Sequence, residues 1–271
     1  MIRFPSDRTY IVGVLNLTPD SFSDGGKFVG TEAALAHARR LVSEGADLID
    51  VGGESTRPGA PPVDEASECA RVVPIIEAIV RAQLGAPISI DTCKSVVAEA
   101  ALAAGAELVN DVSGGRDPEM FPLCGQRQVP VVIGHLRGEP RSMQEQIAFA
   151  DVFEEVASEL GAAIACARQS GVDQIIADPG IGFGKRIEHN LILLRRVGDL
   201  GKRLGVPVMV GPSRKAFIGE LTGRPVGDRL GGTIGAAVAA GLAGADYLRV
   251  HDVGAVRDAL RVAVAIRRGR A

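Results

Sequence analysis

The stretch EGADLID at residues 44–50 reads as a helix end, a glycine turn, a short apolar strand and a polar tip. The same phrase returns as AGAELVND at 104–111 and AGADYLRVH at 243–251. Gly45 and Gly105 stand where a helix end needs a residue free to take positive φ, and the apolar residues that follow are of strand length. The repeat is a β/α unit. Working outward, apolar runs occur at 10–15, 48–51, 88–90, 107–109, 129–133, 175–177, 206–210 and 247–250. Between them, stretches with helical spacing occupy 32–44, 64–83, 95–104, 151–170 and 189–204, and Gly85, Gly171 and Gly205 are further helix-ending candidates. Strands alternating with helices specify a parallel sheet. Eight units without a break in composition predict a closed (β/α)8 TIM barrel rather than an open doubly wound sheet. The barrel is expected to be a single domain over residues 1–271, with its site at the C-terminal ends of the strands. Residues 229–244, rich in alanine and glycine, predict one more, closely packed helix ahead of the eighth strand.

Composition sets the outer limits. With 271 residues, 46% hydrophobic and 23% charged, the chain has the make-up of a globular protein large enough for one such barrel. Its 30 basic and 33 acidic residues are interspersed and leave a formal net charge of -3, which favours neither nucleic acid nor a membrane surface as a partner. Cys69, Cys93, Cys124 and Cys166 lie far apart with no C-x-x-C spacing, so neither a disulfide framework nor a zinc site is expected. That pattern, with no apolar run of about 20 residues and no visible export signal, predicts a cytoplasmic protein.

Each apolar run ends in polar residues that a buried strand does not need: Asn16, Asp50, Asp91 with Thr92, Asn110 with Asp111, His135, Asp178, Ser213 to Lys215, and Arg249 with His251. A parallel barrel brings all these tips to one face. Asp50, Thr92 and Asp111 read equally well as caps of the next helix. Asp91, Asn110 and Asp178 read differently, because three such groups on neighbouring strand ends would crowd one pocket with unsatisfied polar atoms unless a ligand met them. His135 and His251 terminate strands and are site candidates, whereas His37 and His189 lie in helical stretches and are expected at the surface. Two carboxylates and an amide suit the edge of a planar, amino-substituted heterocycle, since Asp accepts while Asn both donates and accepts. Asn16, Thr56, Arg57, Arg249 and His251 form a second set that offers donors and cations to a polyanion, with the Asn16 oxygen suited to a hard cation. The expectation is two chemically opposite halves in one barrel mouth.

These residues stand in longer motifs. GVLNLTPDSFSDGG at 13–26, DVGGESTRPGA at 50–60, DPGIGFGK at 178–185, GPSRKAFIG at 211–219 and LRVHDV at 248–253 resemble the diagnostic segments of the dihydropteroate synthases, in that family's order, over residues 10–267. The resemblance implies a transferase of folate biosynthesis. It would join 6-hydroxymethyl-7,8-dihydropterin pyrophosphate to p-aminobenzoate and release 7,8-dihydropteroate and pyrophosphate. Mg2+ is the implied cofactor, sulfonamides the implied mimics of the arylamine, and a homodimer the implied assembly, to which the apolar residues of 253–267 are suited. By the same resemblance Asp91, Asn110, Asp178 and Lys215 hold the pterin, Asn16 is the magnesium ligand, and Arg249 and His251 bind the pyrophosphate. Phe22 and Asp24 match a first mobile loop, Thr56, Arg57 and Pro58 a second, and Phe183 and Ser213 match positions near p-aminobenzoate. A catalytic contribution is implied for Asp24, Asp91, Asp178 and Lys215, the three carboxylates by stabilising positive charge on the pterin as pyrophosphate leaves.

Two rivals share the resemblance around the pterin: a methyltransferase domain that binds methyltetrahydrofolate, and a non-catalytic pterin-binding protein. Residues 22–24 and 55–58, with Ser213, Arg214 and Lys215, favour the synthase, since a methyl carrier has no arylamine to order beside a leaving pyrophosphate. The chain departs from the family at Gly134, where many members carry methionine before the histidine, and the expected result is a gap in the pterin pocket. Loops 18–30 and 53–62 are rich in Gly, Pro, Ser and Asp and are expected to order only when an anion docks, so that the arylamine subsite forms after pyrophosphate has bound.

Overall fold

The computed structural model describes residues 8–17, 27–55, 59–138, 143–145 and 147–269, with backbone alone at 27–29. The strands are β1 Tyr10–Asn16, β2 Leu48–Gly52, β3 Ile88–Asp91, β4 Leu108–Asp111, β5 Val131–Gly134, β6 Ile175–Asp178, β7 Met209–Val210 and β8 Tyr247–Val250. All pair in parallel, in the order β6-β5-β4-β3-β2-β1-β8-β7. A further parallel bridge from Ala177 to Val208 joins β6 to β7 and closes the sheet into the predicted barrel. Around it lie α1 Lys27–Ser43, α2 Glu65–Arg81, α3 Ser95–Ala103, α4 Met120–Arg127, α5 Val152–Gln169, α6 Ile187–Arg195, α7 Val197–Leu204, α8 Ala216–Thr222, α9 Leu230–Leu242 and α10 Val253–Arg268. No helix among the described residues is long and apolar enough to cross a membrane.

Local chemistry accounts for the element ends. Asp64 and Asp151, which open two predicted helices, are their N-caps. Asp64 accepts the Ser67 N–H at 2.8 Å, and Asp151 accepts those of Phe153 and Glu154 at 2.9 and 3.1 Å. Gly45, Gly85, Gly105, Gly171 and Gly205 all have positive φ, as their turns require. β5 and β7 begin later than the apolar runs suggest because Pro130 and Pro207 have no N–H to give the ladder. α4 and α8, of 8 and 7 residues, are too short for their periodicity to show in the sequence. The helix expected at 189–204 is two helices broken at Arg196. There the Gly198 N–H bonds to the Ala243 carbonyl at 3.2 Å, an approach that a Cβ, 2.5 Å from that oxygen, would forbid.

Side chains alternate along each strand and divide the core in two. Ile11, Leu15, Ile49, Val51, Ile90 and Ile133 pack outward against the helices. Tyr10, Val12, Leu48, Leu108, Val132, Ile176, Met209 and Tyr247 form a separate cluster that fills the barrel, with the two tyrosine rings 5.8 Å apart. Each such buried side chain contributes roughly 1.5–3 kcal/mol. Counting on by twos from this floor, the inward positions nearer the C-terminal ends include Asn16, Asp50, Asp91, Asn110, Gly134, Asp178, Arg249 and His251. The parity that packs the floor therefore turns these residues into the mouth.

Candidate active site

Asp50 lies at the centre of the mouth. It is fully buried, accepts hydrogen bonds from the Ser89 hydroxyl and from Asn110 Nδ2 at 3.0 Å, and receives Arg249 Nε at 2.5 Å. The far end of the same guanidinium reaches Asp91 Oδ2, also at 2.5 Å. Strand register makes the cluster possible, because Gly52, Asp91 and Asn110 stand side by side across β2, β3 and β4. Gly52 matters by being small: a Cβ there would lie 3.5 Å from Asp91 Oδ2 and 3.8 Å from Asn16 Oδ1. Both oxygens thus border one spot.

One reading that the sequence leaves open closes here, and one expectation needs correcting. Asp50 is not a helix cap, since α2 begins only at Glu65 on its own cap, Asp64. Asp50 and Ser89 are the functional candidates that strand-end reading undervalued, and the signal that finds them is their inward parity with Leu48 and Asp91. Asp111 does serve the backbone, accepting the Ser113 and Gly115 N–H groups at 2.8 Å each. The correction concerns the two opposite halves. Arg249, expected on the polyanion side, is clamped between Asp50 and Asp91, so the halves are joined through one side chain.

Burial drives Asp91 up to about 7, against the pull of Arg249 and with a push from Asp50. Burial also raises Asp178, opposed by the Gly180 N–H on its Oδ1 at 2.7 Å and by Lys215. Lys215 is pushed down to about 8 by burial and by Arg249, with Asp178 and Asp91 acting the other way. For Arg249, burial works against the charge, but Asp50 and Asp91 outweigh it and raise the pKa, so the guanidinium stays cationic.

The rim completes the arrangement. Lys215 Nζ rests 3.9 Å from the centroid of the Phe183 ring. Ser213 Oγ and His251 Nδ1 are 2.9 Å apart. Between Ser213 and Lys215, Arg214 takes the left-handed conformation at φ 58, which costs a residue other than glycine about 1 kcal/mol. Its N–H bonds to Thr233 Oγ1 at 3.0 Å and its guanidinium grips Asp252 at 2.8 and 3.1 Å, so Ser213 and Lys215 are presented on a braced turn. His135 turns away from the mouth, because it follows the inward Gly134, and meets Glu159 of α5 at 3.1 Å. The gap expected at Gly134 is filled by main chain: a Cβ there would lie 2.6 Å from Val112 Cα and 2.8 Å from its carbonyl oxygen.

Of the predicted site residues, Asn16, Asp91, Asn110, Asp178, Phe183, Ser213, Lys215, Arg249 and His251 gather at this one end of the barrel. Phe22, Asp24, Thr56, Arg57 and Pro58 lie outside the described residues. Among the described residues, no group of three or more His, Cys, Asp or Glu is placed to hold a metal.

Comparison with known proteins agrees with this geometry. Residues 12–251 match the family described as pterin binding enzyme. The dihydropteroate synthase of Synechocystis sp. is 46% identical over 263 residues, covering 96% of this chain and 90% of its own length. The solved Xanthomonas albilineans dihydropteroate synthase with 4-aminobenzoic acid matches with a TM-score of 0.90 at 45% identity, covering 97% of this chain and 94% of that one. The Thermus thermophilus enzyme in complex with 6HMPPP matches with a TM-score of 0.83 at 43% identity, covering 97% and 96%. Likeness at this level over nearly the whole length means that the chain belongs to the dihydropteroate synthases, the pterin-binding transferases of folate synthesis.

Proposed function

We propose that the protein condenses 6-hydroxymethyl-7,8-dihydropterin pyrophosphate with p-aminobenzoate, giving 7,8-dihydropteroate and pyrophosphate, with the mouth residues divided as follows. The observation that carries the division is Asn110: its Nδ2 donates to Asp50, while its Oδ1 is buried without a hydrogen-bond partner. A buried acceptor left in that state costs about 1–3 kcal/mol, and the N–H groups of a pterin edge would satisfy it. Asp91 and Asp178 accept from the same edge, and each N–H they receive favours the ionised form that burial disfavours. Lys215 donates.

As the C–O bond to pyrophosphate breaks, positive charge develops on the pterin CH2, where Asp91 and Asp178 stabilise it. The arylamine nitrogen forms the new C–N bond and releases one proton, its orientation set by Phe183, Ser213 and Lys215. Two of the five N–H groups of Arg249 are engaged by Asp50 and Asp91, which leaves three for the departing anion beside His251. Asp24 and Phe22 on one loop, and Thr56, Arg57 and Pro58 on another, are assigned to closing the arylamine and anion sides.

Mg2+ is the proposed cofactor. The Asn16 carboxamide oxygen is a hard donor beside Asp91, and one such oxygen with pyrophosphate oxygens and water suits a cation that keeps much of its hydration. Bound there, magnesium would neutralise charge on the leaving group. We further assign the chain as one domain, cytoplasmic and homodimeric. Four free cysteines support a reducing compartment. The dimer is supported by an apolar cleft of about 370 Å³ on α6, α8 and α9, where Leu191 and Leu221 are exposed beside Leu194, Phe217 and Ile218. Incubating the purified protein with both substrates and magnesium, and assaying 7,8-dihydropteroate, tests the reaction. Pterin binding without product would favour a binding protein instead, and methyl transfer from methyltetrahydrofolate the methyltransferase.

A further inference from the structure

The motif DPGIGFGK ends in a lysine that the proposed reaction leaves without a role. Lys185 is buried, and its Nζ has three acceptors around it: His135 Nδ1 at 2.9 Å, the Phe183 carbonyl at 3.0 Å and the His135 carbonyl at 3.3 Å. Burial brings the Lys185 amine down to about 7, and in its charged form its three N–H groups are all spent on these acceptors within the protein. Because His135 Nδ1 accepts, the ring proton sits on Nε2 and is donated to Glu159 Oε2 at 3.1 Å. Burial, reinforced by the Lys185 charge, takes His135 down to about 3, which keeps the ring neutral. Arg137 then fixes Glu159, and holds Glu155 at 2.7 Å and the Ala148 carbonyl at 2.8 Å. The chain of contacts runs from the loop after β6 to the surface of α5.

That loop needs holding. Gly180, Gly182 and Gly184 have φ of 67°, 83° and 55°, and a segment with three left-handed glycines has little local preference of its own. Its conformation is set by clamps: Asn190 Oδ1 on the Gly182 N–H at 2.7 Å, Gln144 Nε2 on the Gly182 carbonyl at 2.9 Å, and Lys185 on the Phe183 carbonyl. A Cβ at Gly180 would fall 2.0 Å from the His135 carbonyl oxygen, so the ends of the two loops are in direct contact where Lys185 joins them. The ring that follows from this clamp is Phe183, on which Lys215 rests.

We propose that Lys185 is a positioning residue for the arylamine side of the site: its buried amine ties the end of β5 to the loop after β6 and so fixes the Phe183 ring against Lys215. The inference rests on the assignment of Phe183 to p-aminobenzoate made above. A lysine that served the fold alone would, once removed, affect both substrates alike. A positioning lysine separates them.

Steady-state kinetics of the full-length Lys185→Met enzyme with both substrates and magnesium make the distinction. The expected result is a rise in KM for p-aminobenzoate of about tenfold, the effect of one charge-assisted hydrogen bond, with a clearly smaller rise, within about threefold, in KM for the pterin pyrophosphate, because the Lys185 charge also reaches Asp178. Lys185→Arg, which keeps a charged donor, is expected to recover part of the loss. A parallel rise in both KM values, or no change in either in a folded protein, overturns the proposal. Should Lys185→Met fail to fold, Glu159→Gln at its half-exposed position weakens the hold on His135 and makes the same test: a rise of about twofold in the arylamine KM alone supports the proposal, and unchanged values overturn it. Wild-type turnover measured alongside checks the proposed reaction separately from the role of Lys185.

Discussion

Arg249→Met keeps the unbranched stem and removes the guanidinium whose Nε and Nη2 sit 2.5 Å from Asp50 and Asp91. Both carboxylates stay behind, buried. Deleting one partner of a buried pair costs about 3–5 kcal/mol, and because Ser89 and Asn110 still hold Asp50 the lower end, about 3 kcal/mol, is expected here. The loss should depend on pH with a definite sign. Asp91 in the folded protein stands at about 7 against an ordinary 3.8, so folding favours its neutral form. Its contribution is full below the ordinary value and is lost as pH rises to about 7. Arg249 is the group that keeps Asp91 from rising further. Without it the decline continues, so wild type and variant run in parallel up to about pH 7 and diverge above it by about 1.4 kcal/mol per pH unit. Urea denaturation at about pH 6 and about pH 8 measures both quantities. A destabilisation under about 1 kcal/mol, or an equal one at the two pH values, would refute the reasoning. Calorimetry on the same variant should show weaker binding of free pterin as well as of pyrophosphate, and unchanged pterin affinity would restore the picture of two separate halves.

Asp178→Asn swaps an acceptor for a donor and is expected to cost about 1.5–3 kcal/mol of pterin affinity, so a calorimetric value within about twofold of wild type would remove Asp178 from that role. Gly134→Met drives a side chain into the Val112 main chain and should destabilise by about 1–3 kcal/mol, and an unshifted thermal midpoint would show that this backbone yields. A labelled sulfonamide should bind the free enzyme weakly and far more tightly with magnesium pyrophosphate present, if Asp24, Arg57 and their neighbours complete the arylamine subsite only around a docked anion. Equal affinity in the two titrations would show that subsite to be preformed.

The barrel and most of its mouth were legible because both follow from short-range pattern. Arg249 lies two residues along the strand that begins with Tyr247, and His251 follows two further on just past its end, so their direction is fixed as soon as the tyrosine is placed in the floor. What stayed hidden depends on groups distant in sequence. A carboxylate at a strand end looks the same whether it caps a helix or meets Ser89, Asn110 and Arg249 as Asp50 does. The filling of the Gly134 space by Val112 comes from a neighbouring strand's loop, and the break at Arg196 comes from α9 pressing on Gly198; neither contact leaves a periodic trace. Lys185 was visible as a motif letter, but only the three acceptors around its amine give that letter a physical meaning.

The closure between β6 and β7 rests on one bridge and on a strand of two residues. The girdle of the barrel therefore has a thin place, and it falls between the strand that carries Asp178 and the turn that carries Ser213 and Lys215. In hydrogen exchange the Ala177 amide, bonded to the Pro207 carbonyl at 2.9 Å, should open sooner than the amides of β1 and β2, whose ladder has five paired positions. Opening along this seam would change the spacing of Lys215 and Asp178, whereas Asp50 on β2 and Asp91 on β3 stand on the opposite wall. A mutation that stiffened the seam would thus be felt in how readily the pocket admits and releases its ligands, as well as in the free energy of unfolding.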